Sequence, residues 1–184
     1  MVLQRPNYFI ISGGPGSGKT SIVDRLDRRG FTTVGESGRA IIREQAAAGG
    51  NATHTGDAAA FGELMLARGI ADYRAMMAAD DPVFFDRGIA ELVGYWRLIG
   101  LPVPAHVAAA AAEYRSNPTV FLTPPWREIY RQDAERQQDW DEAVRTFELV
   151  RDAYTEAGYT TVELPRAPLA ERIAFVLAHV DAAT

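Results

Sequence analysis

Short apolar runs alternate along this chain with longer stretches in which apolar residues recur every three to four positions, and glycine and proline mark the boundaries. The short runs fall at residues 8–12, 31–35, 83–86, 119–123 and 159–164, each rich in aromatic or β-branched residues and flanked by turn formers. Five strands are predicted there. The helical pattern covers residues 19–29, 37–48, 57–79, 89–99, 104–115, 139–157 and 169–180. Gly30, Gly49 and Gly158 supply stop signals, and Ser37, Asp57, Pro104 and Asp139 supply starts. The alanine run 108–112 reads as part of a packed helix, and the segment 49–56 as the most loop-like internal stretch. Alternation of strand and helix predicts a three-layer α/β fold with a five-stranded, mostly parallel sheet, in one domain over residues 1–184 with neither linker nor internal repeat.

Composition narrows the class. The 184 residues are 47% hydrophobic and 23% charged, enough to bury a core and unlike a disordered, collagenous or coiled-coil chain. A formal charge of −5 has the wrong sign for a protein that neutralises phosphates along a nucleic acid, which disfavours a nucleic-acid kinase. The chain has no cysteine, which excludes disulfides, thiolate zinc sites and a cysteine nucleophile, and makes the cytoplasm the expected compartment. The apolar run 8–11 is too short for a secretory leader. Arg97, Pro102, Pro104 and His106 interrupt the longest apolar stretch, so no membrane span of roughly 20 residues is expected. His54, His106 and His179 lack the spacing of metal ligands, so no metal other than Mg²⁺ is expected.

The first predicted strand runs into Gly13-Gly14-Pro15-Gly16-Ser17-Gly18-Lys19-Thr20-Ser21, which satisfies G-x-x-x-x-G-K-[ST] between a strand and a helix. Glycines let successive N–H groups turn inward, and the helix N-terminus adds positive partial charge. A lysine here reaches the β and γ phosphates, and the threonine hydroxyl is placed for Mg²⁺. Of the 19 basic residues, Lys19 is the only lysine. A chain that uses arginine at every other cationic position needs, at this one, a compact ammonium rather than a planar fork. The expected ligand is a nucleoside triphosphate, ATP, with Mg²⁺.

Further polar residues follow the other predicted strands. Asp86 closes the third strand and is the candidate partner of Thr20 in holding Mg²⁺, or the base that orients an attacking hydroxyl, with Arg87 beside it. Glu36 follows the second strand, and with Arg39 it offers a general base and an anion clamp for an acceptor. After the fourth strand, residues 124–138 read as an arginine-bearing lid in which Arg127 and Arg131 share a helical face and Arg131 and Arg136 are the candidate phosphoryl ligands. Trp126 and Tyr130 are placed to touch a ligand, whereas Phe61, Tyr95 and Trp96 are expected in the core.

The lone lysine also sorts phosphate-loop proteins, since an N-K-x-D guanine-reading element needs a second one. An LSGGQ-type signature is missing, and the length is short for a hexameric motor with an added lid domain. Small-molecule kinases remain. The expected function is transfer of a phosphoryl group from ATP to a small hydroxyl- or phosphate-bearing metabolite, a nucleoside or nucleotide among the candidates. The alternative is a slow ATPase that works as a nucleotide-responsive regulatory or binding protein with a protein partner.

The segments FIISGGPGSGKT, VGESGRAIIR, VFFDRG, FLTPPWREIYRQDAER and GYTTVELP together resemble a bacterial family of stand-alone ATPases in the AAA-like P-loop group, alongside ribosylnicotinamide kinase domains. The resemblance covers nearly the whole chain. It implies a kinase-type fold with strand order 2-3-1-4-5, ATP with Mg²⁺, and kinship to nucleoside, nucleotide and thymidylate kinases. On that footing Asp86 and Arg87 match the acid and arginine after strand three, Glu36 the carboxylate after strand two, and Arg131 and Arg136 the lid arginines. Gly88 departs from thymidylate kinases, which carry a side chain there.

Overall fold

The computed structural model describes residues 2–130 and 139–181. Strand β1 is Leu3–Gln4 and β2 is Tyr8–Gly13, followed by α1 (Lys19–Asp27), β3 (Thr32–Val34), α2 (Ser37–Ala48) and α3 (Ala58–Ala75). Then come β4 (Val83–Asp86), a 3₁₀ turn (Ile89–Glu91), α4 (Leu92–Leu98), α5 (Ala105–Glu113) and β5 (Tyr114–Arg115). The remaining elements are β6 (Thr119–Thr123), α6 (Trp140–Glu156), β7 (Thr160–Glu163) and α7 (Leu169–Asp181). Five strands form one parallel sheet in the order β3-β4-β2-β6-β7. Numbered within the sheet, that order is 2-3-1-4-5, as the family resemblance implies.

The central strands read as continuous apolar runs because both faces of the sheet are covered. Along β2, Phe9 and Ile11 point to a core shared with Ile22, Leu26, Phe84, Phe121, Ile173 and Val176, beneath α1 and α7. Tyr8 and Ile10 point the other way, to a core with Phe85, Trp96, Leu122, Phe147 and Tyr154, beneath α3 to α6. The period-two alternation of one strand thus fixes three layers.

Helix ends follow local chemistry where a cap exists. Asp57 accepts the Ala60 N–H at 2.9 Å and Asp139 the Glu142 N–H at 2.8 Å, starting α3 and α6 one residue after each cap. The structure differs from the pattern at three places. Helix α3 stops at Ala75 rather than at residue 79, and residues 89–91 form a 3₁₀ turn before α4. The fifth helix ends at Glu113, and Tyr114–Arg115 instead pairs in parallel with Leu3–Gln4. The Tyr73 hydroxyl reaches the carbonyl oxygens of Leu3 at 2.9 Å and Arg115 at 2.8 Å, tying that pair to α3. Among the described residues no helix is long and apolar enough to cross a membrane.

Helices α4 and α6 come into backbone contact at Gly94, where an added Cβ would lie 2.7 Å from the Leu149 carbonyl oxygen. Gly94→Ala is therefore expected to destabilise the fold by about 1–3 kcal/mol, roughly 2–4 °C in Tm for each kcal/mol at this size. Gly35→Ala, with open space around the new methyl, is the control and should stay within about 0.5 kcal/mol of the parent. Thermal unfolding of the two variants side by side checks the contact.

Candidate active site

Register gathers the polar residues at one sheet edge. Ile11 lies opposite Asp86, Gly13 opposite Thr123 and Val34 opposite Phe85, so the loop after β2, Glu36 after β3, and Asp86–Arg87 after β4 emerge together. This C-terminal edge, beside the crevice where strand order reverses, is where parallel α/β sheets place their ligands.

The loop from Gly13 to Gly18 curls ahead of α1. Gly18 takes φ +84° as the N-cap of α1, a left-handed conformation that disfavours a side chain. Gly14 is glycine for a different reason, since a Cβ would lie 2.5 Å from the Ala143 carbonyl oxygen of α6. The hydroxyls of Ser17 and Thr123 lie 2.6 Å apart and reach the Gly14 and Ser12 carbonyls at 2.7 and 3.0 Å. Lys19 is only 2% exposed, and its Nζ donates to Gly14 O at 2.6 Å and Gly13 O at 3.2 Å. Pro15 is buried, and Thr20 and Ser21 are exposed on the first turn of α1.

Thr20 Oγ1 donates to Asp86 Oδ2 at 3.1 Å. Asp86 is 4% exposed, and among the described residues its Oδ1 is a buried oxygen with no hydrogen-bond partner. Burial pushes the Asp86 carboxyl above the usual aspartate range, the Lys19 ammonium pulls it down, and the like charge of Glu36 pushes it up again. An orphaned carboxylate oxygen beside a threonine hydroxyl is a hard-oxygen donor set, which fits Mg²⁺.

Arg87 has φ +84° although it is not glycine, an uncommon backbone conformation that brings its side chain back across the sheet edge. Its Nε donates to Glu36 Oε1 at 3.3 Å and its Nη1 to Glu91 Oε1 at 2.7 Å. The carboxylates of Glu91, Glu36 and Asp86 raise the guanidinium above the usual arginine range, against the opposing effect of burial. Glu36 Oε2 also pairs with Arg39 Nε at 3.5 Å. Glu91 is 5% exposed and accepts from the Tyr154 hydroxyl at 3.1 Å and from the Ser12 hydroxyl. Sequence reasoning misses Glu91, although its place four residues after Arg87 is a usable signal. Gly88 also has a packing reason, because a Cβ there would lie 2.8 Å from the Tyr154 hydroxyl.

Arg172 of α7 is missed altogether. It is 4% exposed, donates from Nη2 to Ser17 O at 3.0 Å and lies 6.0 Å from the Trp126 ring centre. Burial lowers its pKa. Nothing local marks it, since it reaches the loop from 155 residues away in sequence.

Of the lid, Arg131 and Arg136 lie outside the described residues. Residues 127–129 form a turn, with the Ile129 and Tyr130 N–H groups both donating to Trp126 O. Arg127 stacks over Trp140 at 4.9 Å, and Tyr130 packs edge-on against the same ring. Among the described residues no group of three or more histidines and carboxylates is arranged to hold a metal.

A cavity of about 710 Å³ opens beside the loop at Pro15. Glu36, Arg39 and Arg87 lie at one end. Phe61, Tyr95, Met65 and Leu92 line its middle, so Phe61 and Tyr95 face a cavity as well as packing against the core. Trp96 is buried in the core as expected.

A family model described as an AAA domain matches residues 8–172. No curated protein matches the sequence. Among solved structures, deoxyadenosine kinase from M. mycoides, with the products dCMP and a flexible dCDP bound, has a TM-score of 0.69 and 12% identity. That match covers 95% of this chain and 99% of the other. Thymidylate kinase from Candida albicans has a TM-score of 0.69 at 11% identity, covering 97% and 92% of the two chains. NadR protein in complex with NR has a TM-score of 0.68 at 19% identity, over 96% of this chain and 51% of that one. These likenesses show the fold of a P-loop kinase.

Proposed function

This chain belongs to the AAA domain family, and from that premise we propose that it is a small-molecule kinase that transfers the γ-phosphoryl group of ATP. The carrying observation is the adjacency of two sites: the phosphate cradle at Gly13–Thr20 and, beside it at Pro15, a second cavity of about 710 Å³ with Glu36, Arg39 and Arg87 at one end. A protein that only hydrolysed ATP would have no use for a second site of that size, and this favours transfer over the slow regulatory ATPase.

The cradle amides of residues 13–18 and the Lys19 ammonium bind the donor phosphates. Thr20 and Asp86 would hold Mg²⁺, which when bound screens charge on the phosphate oxygens. Glu36, which lines the cavity, accepts the acceptor's hydroxyl proton, while Asp86 faces Thr20 and stays with the donor side. The acceptor oxygen bonds to the γ phosphorus as the bond from that phosphorus to the β–γ bridging oxygen breaks, and ADP leaves. Arg87, held by Glu91, and Arg39 position Glu36. Arg131 and Arg136 are the proposed cations on the transferring group. A cytoplasmic setting fits an ATP-dependent reaction on a small metabolite.

ADP release from Mg-ATP by the purified chain, with and without pooled nucleosides, nucleotides and sugars, tests this reading. Acceptor-dependent release, absent from Lys19→Ala, is expected. Slow release that ignores the pool would favour the ATPase alternative.

A further inference from the structure

Building on the phosphotransfer reading, we propose that the acceptor is an alcohol with a ring and no phosphate, neutral or cationic overall, so that a phosphomonoester is excluded from the second cavity. The reason is how Arg87 and Arg39 on the cavity wall face carboxylates of the same wall. At its inner end, Arg87 lies 3.3 Å and Arg39 3.5 Å from the two oxygens of a single Glu36 carboxylate, and Arg87 gives a second bond of 2.7 Å to Glu91. A phosphomonoester dianion is held by guanidinium forks that are free to make bidentate bonds. Here it would have to displace Glu36 or Glu91 to take such a fork from Arg87, and it would sit against the Glu36 carboxylate that both arginines face. Glu36 is in contrast well suited to a hydroxyl, whose proton it can accept.

The outer wall points the same way. The start of α6 presents three carboxylates, Asp139, Asp141 and Glu142, to the cavity and one cation, Arg145. The described lining therefore holds five carboxylates against three guanidiniums and His54, and the only lysine of the chain is in the cradle. An incoming dianion meets like charge on entry and at the floor, whereas a neutral or cationic ligand does not. Between these polar ends, Phe61 and Tyr95 meet edge to face with ring centres 6.0 Å apart, and Met65, Leu92 and Leu98 continue an apolar wall. That middle section suits a ring, with its hydroxyl directed to Glu36.

The test pairs each alcohol with its own phosphomonoester: thymidine, cytidine, adenosine and nicotinamide riboside against their 5′-monophosphates. Two readouts are taken on the full chain, ADP release with Mg-ATP and calorimetric binding with ADP present. At least one alcohol is expected to exceed its monophosphate about tenfold or more in kcat/KM and in affinity. If, among the compounds that bind, no alcohol exceeds its monophosphate, the inference is overturned, and so it is if neither series binds. If ADP release ignores every compound while an alcohol still binds more tightly than its monoester, the kinase reading fails while the cavity's preference for the unphosphorylated ring stands. The double variant Asp141→Asn/Glu142→Gln, outside the proposed catalytic groups, should narrow the preference by raising monophosphate affinity, and an unchanged ratio would overturn the electrostatic basis.

Discussion

Lys19→Arg is expected to cut nucleotide turnover at least ~100-fold while the chain stays folded, even though arginine serves at every other basic position. The ammonium is 2% exposed and sits between the Gly13 and Gly14 carbonyls at 3.2 and 2.6 Å. A guanidinium is longer, planar and unable to present a point charge there. The loop cannot widen to admit it, because Gly14 abuts the Ala143 carbonyl of α6 and Gly18 lies against Arg172. Single-turnover ADP formation, read with circular dichroism for the fold, measures the effect. Turnover within a few-fold of the parent would show that Lys19 does not act on the phosphates.

Asp86→Asn is expected to separate stability from activity. Turnover should fall about 100- to 1000-fold, the scale on which losing one preorganised charge acts on a transition state. Stability should rise, by about 1 kcal/mol or roughly 2–4 °C in Tm, because desolvation of the Asp86 carboxylate outweighs its attraction to Lys19 and Arg87, and a neutral isostere avoids that cost. The folded chain holds the Asp86 proton more tightly than the unfolded chain does, chiefly through desolvation. Stability of the parent therefore declines as pH climbs from the usual aspartate value towards the raised one, and the asparagine variant escapes that decline. Its margin over the parent should be wider near about pH 7 than near about pH 4. Mg²⁺ should raise the Tm of the parent and leave the variant unmoved, since the orphaned Oδ1 and its charge are what the ion would use. Normal turnover in the Asp86→Asn variant would leave Asp86 as no more than a partner of Thr20.

Local chemistry makes the strand–loop–helix of residues 8–27 readable. The apolar run, the glycines, the lysine and the threonine are contiguous, and their conformation needs few distant partners. The carboxylates Glu36 and Asp86 are readable for a related reason, because in a parallel sheet every strand delivers its last residues to one edge. The caps Asp57 and Asp139 lie where the pattern puts them.

Other features depend on residues far apart in the chain. The pairing of Leu3–Gln4 with Tyr114–Arg115 joins two short segments with no strand period of their own, and Tyr73 fixes it from α3. Glu91 looks in sequence like a helix-surface charge, and only the approach of Ser12 and Tyr154 turns it into the buried anchor of Arg87. Arg172 looks like one more arginine of an amphipathic helix until α7 lays it against Ser17 and Trp126. Sequence alone determined the fold class, the strand order through resemblance, and the place of the glycine-rich loop between β2 and α1, because these follow from hydrophobic period and contiguous backbone chemistry. Tertiary structure alone decided the shape and charge of the second cavity, because its wall is built from side chains brought together by packing, and burial decides which of their charges are already paired.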